Sequence, residues 1–326
     1  MEAIVGPSRN PYHFIVGCQR SGTTLLGRMV DADPHVAIIH ETRWIASWFE
    51  DRGGLTPEGY VARELIPLLL DHPRFAKLQI DREDLEGLLV TGDPVLYRDF
   101  ITGIFDLYGN KHGKDLVGDK SPRYVRFILT LHQLWPHAKF AHILRDGRDV
   151  WLPATDWRSG GELRRRIIPL HEYPVTTTAV WWDWQVRTGR EDGNALSPDL
   201  YYEVRYESLV SKPTEECEKL CGFLGIPYDE AMLRSHEGRE RPKPDRSVKR
   251  AWLGVTSGRR DWRSEMSAED VERFEAAAGD LLEELGYPRG ASYPNLEASR
   301  TASLVRTLFN QELLAGGDRP PGSGNR

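Results

Sequence analysis

Apolar and polar positions alternate along this chain in two rhythms. Short apolar runs at His13–Val16, Val36–Ile39, Leu116–Gly118 and Phe140–Leu144, with the alternating Tyr201–Tyr206, read as strands. Between them, apolar residues recur every three or four positions, as one face of a helix requires. The pattern predicts helices after the first strand at Leu25–Val30, then over Arg123–Leu134, Val175–Arg190, Pro213–Leu224 and Ala268–Leu285. Residues 44 to 110 read as helical throughout, with Trp44–Phe49, Pro57–Leu70 and Pro94–Tyr108 the most periodic stretches. Arg239–Arg260 is polar, cationic and interrupted by prolines, without a period. The apolar signal thins after Arg300, and Gly316–Arg326 has the Gly/Pro/polar composition of a disordered tail. Short strands alternating with helices predict an α/β fold with a parallel sheet flanked by helices.

The distinctive polar clusters all follow strands: Arg20–Thr24, His40-Glu41, Asp119-Lys120 and Arg145–Asp149. In a parallel sheet they converge on the rim beyond the carboxyl ends of the strands, where such sheets bind ligands. The first cluster belongs to Gly17–Thr24, GCQRSGTT, a glycine-rich loop between a strand and a helix. A nucleotide-triphosphate loop of this kind places Lys at the seventh position; here that position is Thr23, and Arg20 is the loop's cation. The N–H groups from Ser21 to Thr24 still suit an anion at a helix N-terminus. A phosphate-like group fits this loop better than the γ-phosphate of Mg-ATP.

Read as one site, the clusters divide the work of moving an anionic group onto a hydroxyl. Arg20 and the loop amides bind an anion, Lys120 meets charge developing on oxygen, and Arg145 takes a second anionic group. Glu41, a carboxylate at a strand end, accepts the hydroxyl proton. Structural readings stay open for each: Glu41 as an ion-pair partner of Arg43 or Arg20, Lys120-Ser121-Pro122 as a helix start, and Arg145–Asp149 as a helix entry. His40 is a second candidate base, and Trp181, Trp182 and Trp184 read as core.

Composition narrows the classes. The 326 residues carry a formal net charge of −6, which gives no global basic footprint for nucleic acid. Cys18, Cys217 and Cys221 are too few and too scattered for a disulfide framework or a zinc site, which suits a reducing, cytoplasmic setting. No signal core opens the chain and no apolar run reaches a membrane-spanning length, so a protein without membrane attachment is expected.

The joint order of these residues resembles a known family. Phe14–Leu26 (FIVGCQRSGTTLL), Asp31-Ala32-Asp33-Pro34 and His40-Glu41-Thr42-Arg43 are similar to the 5′-phosphosulfate loop region of sulfotransferases, closest to the protein-tyrosine sulfotransferase branch and its soluble bacterial relatives. That branch spaces a Glu twenty-one residues after the loop arginine, and a Lys twenty-five before the 3′-phosphate arginine; Glu41 and Lys120 keep both spacings to Arg20 and Arg145. Val204–Leu209 (VRYESL) and Trp262–Tyr287 resemble the segment near the nucleotide and the closing helix.

The resemblance implies a P-loop-like three-layer fold and the donor 3′-phosphoadenosine 5′-phosphosulfate (PAPS), with no metal required. It assigns Arg20, Ser21, Gly22, Thr23 and Thr24 to the 5′-phosphosulfate, Glu41 to the base and Lys120 to the transferring group. Arg145 takes the 3′-phosphate, with Tyr206 near the nucleotide. Ser247, Arg259 and Arg260 are weaker late-chain ligands of the donor. One departure is Pro153, where the family usually supplies a second 3′-phosphate ligand, Ser; Thr155, Arg148 or a later arginine must compensate. The expected organisation is a lead over 1–12, one domain over 13–298 with a helical acceptor-site insertion at about 44–110, and a C-terminal extension over 299–326. Trp44, Trp48, Trp151 and Trp157 are candidate walls for the acceptor. A small-metabolite hydroxyl is expected first, a carbohydrate second and peptidyl tyrosine third. The competing readings are a P-loop kinase or NTPase, and a relative that binds the nucleotide without catalysis.

Overall fold

Strand β1 (His13–Val16) is buried along its whole length, because β3 and β4 pair with it on its two edges and helices cover both faces. A computed structural model describes residues 8–90, 93–154, 172–237, 261–290 and 294–315. In chain order its strands are β1, β2 (Val36–His40), β3 (Leu116–Lys120), β4 (Lys139–Leu144) and β5 (Tyr201–Arg205), and the sheet order is β2-β3-β1-β4-β5. The pairings β2 with β3, β3 with β1 and β1 with β4 are parallel.

The pleat sorts each strand between two cores. Phe14, Ala37, Ile39 and Phe140 face one core. Ile15, Val36, Ile38 and Ile143 face the other. The first core is covered by α2 (Trp44–Glu50), α3 (Leu65–Leu70), α5 (Tyr97–His112) and α6 (Ile128–Leu134), with α4 (Arg82–Gly87) packed at α3. The second is covered by α1 (Thr23–Asp31) and by two helices after β5, α9 (Tyr206–Ser211) and α10 (Pro213–Leu224). This is the expected three-layer arrangement, with strands that read as apolar runs because both of their faces are buried.

The chain packs into two compact units. One comprises Met1–Gly17, Gly22–Ile143 and Asp192–Thr256; the other comprises Cys18–Ser21, Leu144–Glu191 and Ser257–Arg326. The first holds the sheet. The second is helical, with α7 (Gly147–Ala154), most of α8 (Pro174–Asn194), α11 (Trp262–Glu265), α12 (Ala268–Glu284) and α13 (Leu296–Ala315). Its core takes in Trp181, Trp182 and Trp184, which are buried as core residues.

Several stretches depart from the expected elements; the helix expected over Arg123–Leu134, for one, is a 3-10 turn at Pro122–Arg126 followed by α6. Residues 51 to 64 turn back on themselves, with antiparallel bridges Leu55–Val61 and Tyr60–Leu96, and α3 begins at Leu65 instead of Pro57. Gly53, Gly54 and Gly59 lie in that stretch, and at Gly54 and Gly59 φ is positive, a conformation that interrupts a helix. Beyond Leu296 the thin apolar signal conceals a twenty-residue helix, α13, which buries Ala298, Ala302, Val305, Phe309 and Leu313. The spacing is helical, yet two of the five residues are alanines, so mean hydropathy is low although the stripe is complete. The tail from 316 lies outside the described residues.

Phe309 is 1% exposed and meets Trp184 edge-on at 5.6 Å. Phe309→Ala should lower unfolding stability by about 3–5 kcal/mol in urea denaturation. A loss below about 1 kcal/mol would remove α13 from the core.

Candidate active site

The parallel strands β2, β3 and β1 end on the same edge of the sheet, and the chain leaves them at Glu41, Ser121 and Gly17. Register decides what meets there. Lys120 pairs with Ile15 on one side and with His40 on the other, so the last residue of β3 stands beside the residue that precedes Glu41.

Glu41 and Arg43 both adopt the left-handed region, with φ of 60° and 61°. Such a conformation costs a non-glycine residue on the order of 1–3 kcal/mol and persists only where its surroundings enforce it. Here they do. The Glu41 N–H donates to the Lys120 carbonyl at 2.9 Å, and the Thr42 N–H donates to Asp119 Oδ2 at 3.2 Å. Thr42 Oγ1 lies 2.6 Å from the Tyr124 hydroxyl, which also accepts from Ile45 N–H at 3.1 Å.

The Glu41 carboxylate is surrounded by cations. Lys120 Nζ donates to Oε1 at 3.0 Å, while Arg43 Nη2 and Arg74 Nη1 reach Oε2 at 2.5 and 3.0 Å. Arg74 also donates to the Glu41 carbonyl at 3.3 Å. Burial alone would raise this carboxyl, but Lys120, Arg43 and Arg74 overcome it and hold the pKa at about 2. Burial lowers Lys120, and Glu41 and Asp119 oppose that shift. Burial, helped by the charge of Lys120, brings His40 down to about 4, which leaves a neutral imidazole at pH 7. Asp119 is fully buried, and desolvation raises it to about 6 against the hydrogen bond from the Thr42 N–H.

The glycine-rich loop is built for close approach. Gly22, at the N-cap of α1, has φ of 103°, and a Cβ there would lie 2.5 Å from the Tyr206 ring. Tyr206 therefore packs on the loop, and a side chain at position 22 would collide with it. No side chain caps α1, and the N–H groups of its first turn lack partners within the helix itself. Ser21 and Thr23 are buried and Thr24 is exposed. The Lys120 stem packs on the same helix: a Cβ at Gly27 would lie 3.0 Å from Lys120 Cγ.

Strand β4 runs directly into Arg145, which is 6% exposed. Its Nη1 lies 3.4 Å from the carbonyl oxygen of Arg20, whose φ of 75° is again left-handed, and its Nη2 lies 3.7 Å from Asp149 Oδ2. Arg148, a candidate substitute for the missing Ser ligand, is corrected by its surroundings. It is fully buried and grips Asp146 with Nε and Nη2, Glu275 with Nη1 and the Pro288 carbonyl with Nη2, while stacking 3.6 Å over Trp262. Both terminal nitrogens and Nε are committed, so Arg148 is a structural residue. Pro153 falls within α7, and Thr155, Trp157, Ser247, Arg259 and Arg260 lie outside the described residues.

Trp44 is also corrected: it is 2% exposed, packed against Trp48 and Phe75, and belongs to the core instead of an acceptor wall. Trp48 and Trp151 are partly buried. Sequence reasoning missed Arg74, which lies thirty-three residues beyond Glu41 in a stretch without a motif. It also missed Tyr124, which reads as an ordinary helix-start aromatic, and gave Asp149 no role of its own. No local signal marks what these three do. Among the described residues, no helix is long and apolar enough to cross a membrane.

Comparison with known proteins gives consistent matches. A family model described as the sulfotransferase family matches residues 11–230. Protein-tyrosine sulfotransferase 1 of Danio rerio is 26% identical over 310 residues, covering 87% of this chain and 74% of the relative. Nodulation protein NoeE of Sinorhizobium fredii is 25% identical over 322 residues, covering 90% of this chain and 68% of the relative. Among solved structures, mouse sulfotransferase SULT7A1 complexed with PAP aligns with a TM-score of 0.46 at 12% identity, over 93% of this chain and 90% of that one.

The folded protein holds the Asp119 proton up to about pH 6, whereas an unfolded chain releases it near pH 4, so the ionised carboxylate destabilises the fold. The penalty grows as pH rises between those values. Relative to Asp119→Asn, the unchanged protein should lose up to ~3 kcal/mol of stability between about pH 4 and pH 7. Urea denaturation of both across that range reads the difference, and a flat difference would refute the shift.

Proposed function

The chain belongs to the sulfotransferase family, and from that premise we propose that it moves the sulfuryl group of PAPS to an acceptor hydroxyl with Glu41 as the proton acceptor. The observation that carries this reading is one carboxylate fixed among three cations, with Lys120 Nζ 3.0 Å from Glu41 Oε1 and packed on the helix of the glycine-rich loop. In the transfer, the acceptor oxygen bonds to sulfur as the bond from sulfur to the 5′-phosphate oxygen breaks. The hydroxyl proton passes to Glu41 and then to solvent, and the departing nucleotide keeps the bonding pair. A carboxylate held at about 2 is a weak base. It therefore receives the proton late, once electron density has moved from the hydroxyl oxygen towards sulfur.

Lys120 offsets charge on the transferring group and the bridging oxygen. Arg20 and the N–H groups from Ser21 to Thr24 hold the 5′ end of the donor, Tyr206 lies by the nucleotide, and Arg145 takes the 3′-phosphate. Fixed donors aimed at developing charge can each contribute ~3–4 kcal/mol to lowering a barrier. Ser247, Arg259 and Arg260 remain further donor ligands in this reading, and no metal takes part. The acceptor is a hydroxyl on a small molecule, a carbohydrate or a tyrosine. The protein-tyrosine sulfotransferase name of relatives matched over most of their length supports including tyrosine among the acceptors tested.

Titration calorimetry with 3′-phosphoadenosine 5′-phosphate (PAP), with chelator present, should give micromolar or tighter binding. Binding of Mg-ATP alone would favour a kinase, and binding of neither would favour a degenerate relative. Glu41→Ala should reduce turnover at least ~100-fold while changing PAP affinity less than about twofold. A large loss of PAP affinity would instead make Glu41 a structural partner of its cations.

A further inference from the structure

The motif Arg145-Asp146-Gly147-Arg148-Asp149 contains two arginine–aspartate pairs with different surroundings. The first to be ruled out of ligand binding is Arg148, whose bonds to Asp146, Glu275 and Pro288 leave it fully buried. That network fixes the floor on which α7 starts. Asp149 uses its two oxygens differently. Its Oδ1 accepts the Trp262 N–H at 2.9 Å, across 113 positions of sequence, and its Oδ2 lies 3.7 Å from Arg145 Nη2. The tryptophan is itself clamped, since its ring lies under Arg148 at 3.6 Å. Asp149 is thus held by a rigid backbone donor on one oxygen and faces the Arg145 guanidinium with the other.

We propose that Asp149 is a positioning residue for the 3′-phosphate of the donor, which fixes the guanidinium of Arg145 before the nucleotide arrives. The proposal rests on the reading of Arg145 as the 3′-phosphate ligand. An arginine side chain loses considerable rotamer freedom when it closes on a phosphate, and a partner that orders it beforehand removes that cost from binding. Pro153 offers no side-chain donor in place of the usual second ligand, so the orientation of Arg145 carries more of the recognition. A carboxylate near an incoming phosphate also repels it, and the two effects have opposite signs. The sign of the change on removing the charge therefore decides between them.

The test compares PAP with adenosine 5′-phosphate, which lacks the 3′-phosphate, by calorimetry on the full chain. Asp149→Asn keeps an oxygen for the Trp262 N–H and removes the charge facing Arg145. It should weaken PAP about tenfold and change adenosine 5′-phosphate less than about twofold. In an Arg145→Ala background, Asp149→Asn should have no further effect on PAP, because the residue acts through Arg145. Unchanged or tighter PAP binding, a parallel loss of both ligands, or an undiminished effect in the Arg145→Ala background would each overturn the proposal. Failure of the underlying reading looks different: the unchanged protein would bind the two nucleotides equally well.

Discussion

The parallel pairing of β3 between β1 and β2 is the constraint on which the site depends. It places Lys120 level with Ile15 on one side and His40 on the other, so that the glycine-rich loop leaves β1 close to one flank and Glu41 leaves β2 at the other. A strand's side chains alternate between faces, so a slip of one residue would turn Lys120 away from Glu41 and place Asp119 where the lysine belongs. The apolar residues of all three strands oppose such a slip, because they are sorted between two separate cores. Burial of hydrocarbon on both faces of the sheet thereby fixes the position of a charge at its edge.

Around that charge, the local structure holds two residues where few side chains rest. Glu41 and Arg43 are both left-handed, and the turn that carries them is tied to Asp119, Lys120 and Tyr124 by hydrogen bonds from Glu41 N, Thr42 and Ile45 N. The strain orients the Glu41 carboxylate towards three cations. A buried or half-buried ion pair is weak support for stability, since desolvation offsets much of the attraction. Its value here lies in keeping a carboxylate ionised, with Lys120 and two guanidiniums fixed beside it. Asp119 beneath the turn is the cost of that arrangement, a buried carboxyl whose ionisation opposes folding.

Arginine has two opposite uses within four residues of the other unit. Arg148 is consumed by carboxylates, a carbonyl and an indole ring, and holds α7 to Trp262 and the segment at Pro288. Arg145 follows β4 and faces Arg20 and Asp149 at longer distances. The sequence resemblance already favours Arg145 over Arg148 as the ligand of the donor, and the environment of Arg148 shows where its own guanidinium is spent.

Much of this protein is legible in its amino-acid sequence. Runs such as Phe14-Ile15-Val16 mark the strands, since a strand buried on both faces must be apolar throughout. The loop Gly17–Thr24 with Thr23 in place of lysine points to an anion other than a nucleotide γ-phosphate, and the spacings from Arg20 to Glu41 and from Lys120 to Arg145 carry the resemblance to the family. The turns around Gly54 and Gly59 and the alanine-bearing stripe of α13 are harder to read, because average composition there masks the true period. Arg74 beside Glu41, Tyr124 beneath Thr42 and Trp262 against Asp149 are decided by tertiary structure alone. Each joins positions dozens of residues apart, and no local preference records a contact that exists only once the sheet and its helices have packed.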